Sequence, residues 1–253
     1  MDQLQAAKFD YCLMLGDSAL ILGHRLSEWC GHGPVLEEDI AMINVALDLV
    51  GLSRNLLSYA GEVEGKGRDE DQLAYLRDAK DYRNHLLVEQ DNGDFGKTVV
   101  RQFLFDVYAQ LLYKRLSESK DEQLAAIAAK AVKEMDYHVR HSSQWMLRLG
   151  DGTAESHERM QNALDDLWMY TGDLFATTDG DRLLEAQGVA VCPDALQAEW
   201  LKTVTEICHQ ATLVVPASAY ALKGSREGRH TEQLGFILAD LQFVQRAYPG
   251  NQW

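Results

Sequence analysis

Proline is scarce in this chain, 4 in 253 residues. A proline inside a helix removes a backbone donor and clashes with the preceding turn, so its scarcity leaves room for long uninterrupted helices. Cysteine is equally sparse. Cys12, Cys30, Cys192 and Cys208 stand far apart and form no CxxC, which excludes a zinc framework or a disulfide scaffold and leaves reduced thiols as the expectation. No apolar run approaches the roughly 18 residues of a membrane span. Met1-Asp2-Gln3 lacks the basic start of a secretory leader, so a soluble cytoplasmic protein is expected. Positive charge is short as well: 24 Lys and Arg face 39 Asp and Glu, a net charge of −15. Neither nucleic acid nor an anionic membrane would be attracted. What remains is a solvated acidic face or a docking surface for a basic partner. GxSxG, a P-loop and a strand-linked GxGxxG are all missing, as is any convincing β-alternation.

What is present is helical periodicity. From about residue 5 to 30, Leu15, Ala19, Leu22, Leu26 and Trp29 recur in steps of four and three, with Leu13 and Leu20 on another side. From about Leu36 to Glu64, Ile43, Leu47, Val50 and Leu57 form one stripe and Leu49, Leu52 and Leu56 a second. A helix apolar on two sides belongs in the middle of a bundle. Further helices are expected over about 70–79, 95–118, 121–149, 154–175, 194–211 and 231–247, the last capped by Thr231. The stretch 176–193 reads as irregular. Gly224 and Gly228, beside Lys223, Arg226 and Arg229, read as a flexible surface loop or an anion grip. Only Ser119-Lys120 separates the helices of 95–118 and 121–149, which makes them antiparallel neighbours. The chain is read as one all-α domain over 1–253, with a core bundle of about 5–150 and additional helices of about 154–247.

Two of these helices carry a metal pattern in reduced form. A bundle that binds two irons needs a Glu on each of two helices and Glu-x-x-His on each of two others. Here the second long helix reads Asp48-Leu49-Val50-Gly51, with a shorter carboxylate and Gly51 at the histidine position. The helix of 121–149 reads Glu134-Met135-Asp136-Tyr137-His138, with Tyr137 at that position and the histidine one residue late. Asp106 and Glu28 are the other carboxylates such a centre would draw on. Glu134 and His138 share a helix face. Holding a metal is one role for them; a structural hydrogen-bond network, or a pairing of Glu134 with Lys130, is the other.

Taken in order along the chain, several blocks resemble a known family. They are Leu15-Gly16-Asp17, Glu28-Trp29-Cys30-Gly31-His32, Leu47-Asp48-Leu49-Val50-Gly51 with Arg54-Asn55, and Leu86-Leu87-Val88-Glu89-Gln90. Asn92-Gly93-Asp94-Phe95, Arg101-Gln102, Ala129-Lys130-Ala131 and Lys133-Glu134 before Tyr137-His138 continue the series. His230-Thr231-Glu232-Gln233-Leu234-Gly235, Gln245-Arg246, Pro249-Gly250 and Trp253 close it. The sequence resembles the PaaC-type subunit of bacterial phenylacetyl-CoA 1,2-epoxidases, multicomponent ring monooxygenases.

That resemblance implies a ferritin-like helical bundle with extra C-terminal helices. It implies a non-catalytic structural subunit, with no catalytic residue and no cofactor of its own. The di-iron centre is expected in a homologous catalytic subunit, and a reductase would deliver electrons from NADPH. Glu28, Asp48, Gly51, Asp106, Glu134 and His138 are then vestigial metal positions. The alternative is an autonomous di-iron oxidase with a reduced ligand set. If the CoA moiety touches this chain, local charge and loop position point to Asp81, Tyr82, Arg83 and Asn84, with Arg182 an outside choice.

Overall fold

Acidic and hydroxyl side chains set where most of the helices start, because they accept from N–H groups that lack an intrahelical partner. Asp2 and Gln5 bond reciprocally at the head of α1 (Gln3–Ser27). Asp69 and Gln72 do the same for the short α3 (Glu70–Tyr75). The computed structural model describes residues 1–217 and 220–251; Trp253, which contributes to the resemblance above, lies outside them. Among the described residues all regular structure is helical. The chain divides into two compact units, Met1–Asp91 with Gly224–Trp253, and Asn92–Lys223.

In the first unit α1 runs antiparallel to α2 (Leu36–Glu64). Gly16 of α1 lies against Leu56 and Leu57, and Gly23 against Ala46, Leu49 and Val50, so rising numbers meet falling ones. A Cβ at Gly16 would sit 2.8 Å from the Leu57 side chain. Residues Tyr11 to Gly23 are all buried, as the apolar residues on both sides of this helix require. The helix stops at Ser27, three residues before the expected end, and Trp29 sits in the following turn.

Helix α2 departs from expectation. Its Leu49, Leu52 and Leu56 are buried, but Leu47 is exposed and Ile43 and Val50 are only half-buried. The first stripe is covered only at Leu57 and in part at Ile43 and Val50, so its N-terminal part is left outward. By length and hydropathy α2 is also apolar enough to cross a membrane, interrupted between Ile40 and Ser58 only by Asp48 and Arg54. Its inner face nonetheless packs on α1 in the usual manner of a core helix.

The last helix, α9 (Glu232–Ala247), belongs to this first unit and not to an appendage. Gln242 Nε2 donates to the carbonyls of Ala74 and Arg77 at 3.0 Å each, and to the Tyr82 hydroxyl at 3.1 Å. Arg246 reaches the Arg77 carbonyl at 2.8 Å and Asp78 at 3.1 Å. The glycine-containing segment before α9 is not a loose surface loop. Arg226 is buried and bonds Asp10 at 3.0 Å. Gly228 has φ +74, and a Cβ there would lie 2.1 Å from the Lys80 carbonyl oxygen. Thr231 occupies the cap position of α9, but its hydroxyl makes no cap bond and is turned to Glu89.

The second unit is built on α4 (Phe95–Leu116) and α5 (Glu122–Gly150), packed along one another. Asp94 and Asp121 cap them. Residues Thr98 to Ala109 of α4 are all buried. Helix α6 (Ala154–Thr171) starts from a Thr153–Ser156 capping box. A further helix, α7 (Asp179–Ala186), stands inside the stretch expected to be irregular. Thr178 and Asp181 form its capping box, which overrides the glycine at 180. Helix α8 (Gln197–Gln210) carries Trp200, whose indole N–H donates to the Leu104 carbonyl at 2.9 Å. The Trp200 ring meets Phe175 edge-on at 5.2 Å.

Candidate functional site

Asp106 lies in the middle of the buried run of α4 and is itself buried. One turn earlier, Gln102 Nε2 donates to its Oδ1 at 2.6 Å. Burial pushes the carboxyl up to about 6; the charge of His138 and hydrogen bonds from Ser142 and Gln102 pull the other way and do not cancel it. His138 and Ser142 come from α5, on its buried line of Ala128, Ala131, Met135, His138, Ser142 and Met146. Ser142 Oγ donates back to the His138 carbonyl at 2.9 Å. The helix is therefore turned so that His138 points in and Val132, Val139 and Leu149 are only half-buried.

The neighbouring positions point elsewhere. Tyr137 is 38% exposed, stacks on His141 at 6.0 Å and lies under Arg140. Glu134 is half-buried and pairs with Lys130 at 3.6 Å, one of the two roles the sequence allowed it. In the first unit Glu28 is exposed just after α1 and bonds Arg25 at 2.9 Å. Asp48 is half-buried on α2, and a Cβ at Gly51 would meet nothing within 4 Å.

A two-iron centre needs about four carboxylates and two histidines converging on one point. The donors here do not fit it. Among the described residues no three His, Cys, Asp or Glu side chains gather closely enough to hold a metal ion. Asp106 and His138 are both buried and lie near enough for the charge of His138 to lower the proton affinity of the Asp106 carboxyl.

The expected CoA contacts divide. Tyr82 and Asn84 are fully buried. The Tyr82 hydroxyl donates to the Ala74 carbonyl, and burial pushes the phenol upward. Asn84 Nδ2 donates to Glu89 Oε2 at 2.9 Å. Both serve as interior supports, because the chain turns them inward to satisfy its own buried polar groups. Arg83 is half-buried and engages Asp10 at 2.8 Å. Asp81 is exposed, and its carbonyl accepts from Arg77 at 3.0 Å. In the second unit Arg182 pairs with Asp194 at 2.8 Å. A phosphate approaching Arg83 or Arg182 would compete with a carboxylate already in place.

Sequence reasoning missed the polar interior of the first unit. Asp17 receives Arg77 on both oxygens and the Arg83 backbone N–H at 2.9 Å. Glu89 receives Asn84, His230 and Thr231, while its carbonyl takes Arg25 at 2.9 and 3.1 Å. The signal was visible only as separate blocks containing Asp17, Glu89 and His230-Thr231, with nothing to show that they touch.

Known proteins match this chain along its whole length. A family model described as phenylacetic acid catabolic protein matches residues 1–253. The C subunit of the 1,2-phenylacetyl-CoA epoxidase of Escherichia coli strain K12 is 49% identical over 253 residues, covering 100% of both chains. With helices throughout, the reduced donor set in α4 and α5, and a match from end to end, this chain belongs to the PaaA/PaaC family of phenylacetic acid catabolic proteins.

Proposed function

We propose that this chain is the non-catalytic structural subunit of a phenylacetyl-CoA 1,2-epoxidase in aerobic phenylacetate degradation. It docks onto a homologous di-iron catalytic subunit and stabilises it, in a cytoplasmic complex that draws electrons from NADPH through a reductase. The observation that carries this reading is the Asp106–His138 pair. Between α4 and α5 this chain buries one carboxyl and one histidine, while Tyr137, at the position where the metal pattern wants histidine, is directed to the surface. The full-length similarity to a protein named as the C subunit of such an epoxidase supports the same role.

A structural copy is useful because metal ligands must be fixed to fractions of an ångström, and a docked neighbour restrains the helices that carry them. The test is to purify this chain alone and with the homologous catalytic subunit, then count metal. The expected result is no stoichiometric iron in the isolated chain and iron in the pair. About two irons per isolated chain would overturn the proposal in favour of an autonomous di-iron oxidase.

A further inference from the structure

The outer face of α2 carries Leu36, Ile40, Ile43, Leu47 and Val50 in steps of four, three, four and three. Leu36 is 72%, Ile40 51% and Leu47 63% exposed, and Ile43 and Val50 are half-buried. Such spacing draws a straight apolar seam, about 21 Å long at 1.5 Å per residue, of the kind that packs against another helix. Contiguous exposed apolar surface of this sort marks an interaction site. The seam is bordered by Gly51, where added atoms meet nothing within 4 Å, so a partner can approach closely there.

Charge decides what covers it. Helix α2 carries Glu37, Glu38, Asp39, Asp48, Glu62 and Glu64, and its one cation is Arg54. Two copies of this chain pairing in parallel along the seam would set Glu37, Glu38 and Asp39 against themselves. An antiparallel pair centred on Ile43 would bring Asp48 beside Glu37, which lies on the same flank of the stripe, and carry Arg54 past the acids to His32. Both arrangements oppose like charges in chains that each carry −15. A heterologous helix with an apolar heptad stripe flanked by Lys and Arg meets both requirements.

We infer that the Leu36–Val50 face of α2 is the docking seam for such a basic-flanked helix of the homologous catalytic subunit; this rests on the structural-subunit reading. Ile40→Lys with Leu47→Lys is expected to weaken co-assembly with that subunit by at least about a hundredfold. Thermal unfolding of the isolated variant should be unchanged, because both side chains already face solvent. Glu37→Lys with Asp48→Lys is expected to weaken it by about tenfold at low salt, an effect that fades as salt rises. Phe243→Lys, at an exposed position of α9, is the control and leaves assembly intact.

Hydrogen exchange of the unmodified chain gives a reading that needs no variant. Amides of Leu36–Val50 are expected to gain protection in the complex. If the unmodified chain does not assemble with the catalytic subunit, the functional reading fails. If it assembles while the seam variants bind as tightly and the seam gains no protection, only the seam proposal falls. A homodimer of the isolated chain that is dissolved by Leu47→Lys would assign the face to a second copy and overturn the inference. Sedimentation of the isolated chain with neutral phosphatidylcholine vesicles, lost in the same variant, would assign it to a membrane and also overturn it.

Discussion

Glu89 and Thr231, 142 positions apart, meet through a single carboxylate oxygen: Glu89 Oε1 accepts from the Thr231 backbone N–H at 2.6 Å and from its hydroxyl at 2.8 Å. The other oxygen takes Asn84 at 2.9 Å and the His230 ring at 2.8 Å. One buried carboxylate thus ties the start of α9 to the segment of residues 84–90. Glu89→Ala is expected to destabilise the chain by about 2–4 kcal/mol, since it strands several buried donors at once. Glu89→Gln keeps the shape and should cost less, about 1–2 kcal/mol. Urea denaturation measures both, and a loss below about 0.5 kcal/mol for the alanine variant would contradict this role.

His230 gives the same hub a pH dependence. Burial pulls the imidazole down, but the hydrogen bond and charge of Glu89, with the Tyr82 carbonyl and the more distant Asp17 charge, outweigh it and hold the group above its ordinary 6.5. A raised folded-state value means the stabilisation is complete below about pH 6.5 and is lost as pH rises through the folded value. Wild-type stability should therefore decline above neutrality, and His230→Asn should flatten that part of the curve. Parallel curves for the two proteins would refute it.

Asp106 acts in a lower window. Its carboxyl is raised from 3.8 to about 6, so its contribution is complete below 3.8 and is lost as pH climbs to about 6. The difference in stability between wild type and Asp106→Asn should shift in favour of the variant by on the order of 1–3 kcal/mol between about pH 4 and pH 7. Turnover of the assembled epoxidase should survive this substitution. Abolished turnover in an intact complex would point back to a metal-binding role.

Glu134 and His138, equivalent in the sequence pattern, should behave differently. Glu134 pairs with the exposed Lys130 at 3.6 Å, so Glu134→Ala is expected to cost no more than about 1 kcal/mol. His138 is buried, and its charge helps to hold the Asp106 proton affinity down. His138→Ala should cost about 2–4 kcal/mol and raise the Asp106 value further. Equal losses for the two variants would show that the inward turn of α5 is misplaced.

Most helices were legible because their apolar residues recur every three or four positions and few prolines interrupt them. α7 was hidden, since a helix of 8 residues around Gly180 repeats too few times for a period to stand out. The reduced metal pattern was also legible, as Gly51 and Tyr137 are local facts of sequence. The inward place of the expected CoA contacts was not. Tyr82 and Asn84 look like surface polar residues in a charged tract, and only the fold turns them inward to Ala74 and Glu89.

Sequence alone determined which faces of α1, α2, α4 and α5 are apolar, because helix geometry converts spacing directly into a stripe. It also determined that Gly51 and Tyr137 stand where the metal pattern wants histidine, because a missing side chain is missing in any fold. Tertiary structure decided which apolar residues of α2 are covered and which stay exposed, and that Asp17 and Glu89 are interior anchors. Those outcomes depend on contacts between residues far apart in the chain, such as Glu89 with Thr231, and no local periodicity encodes them.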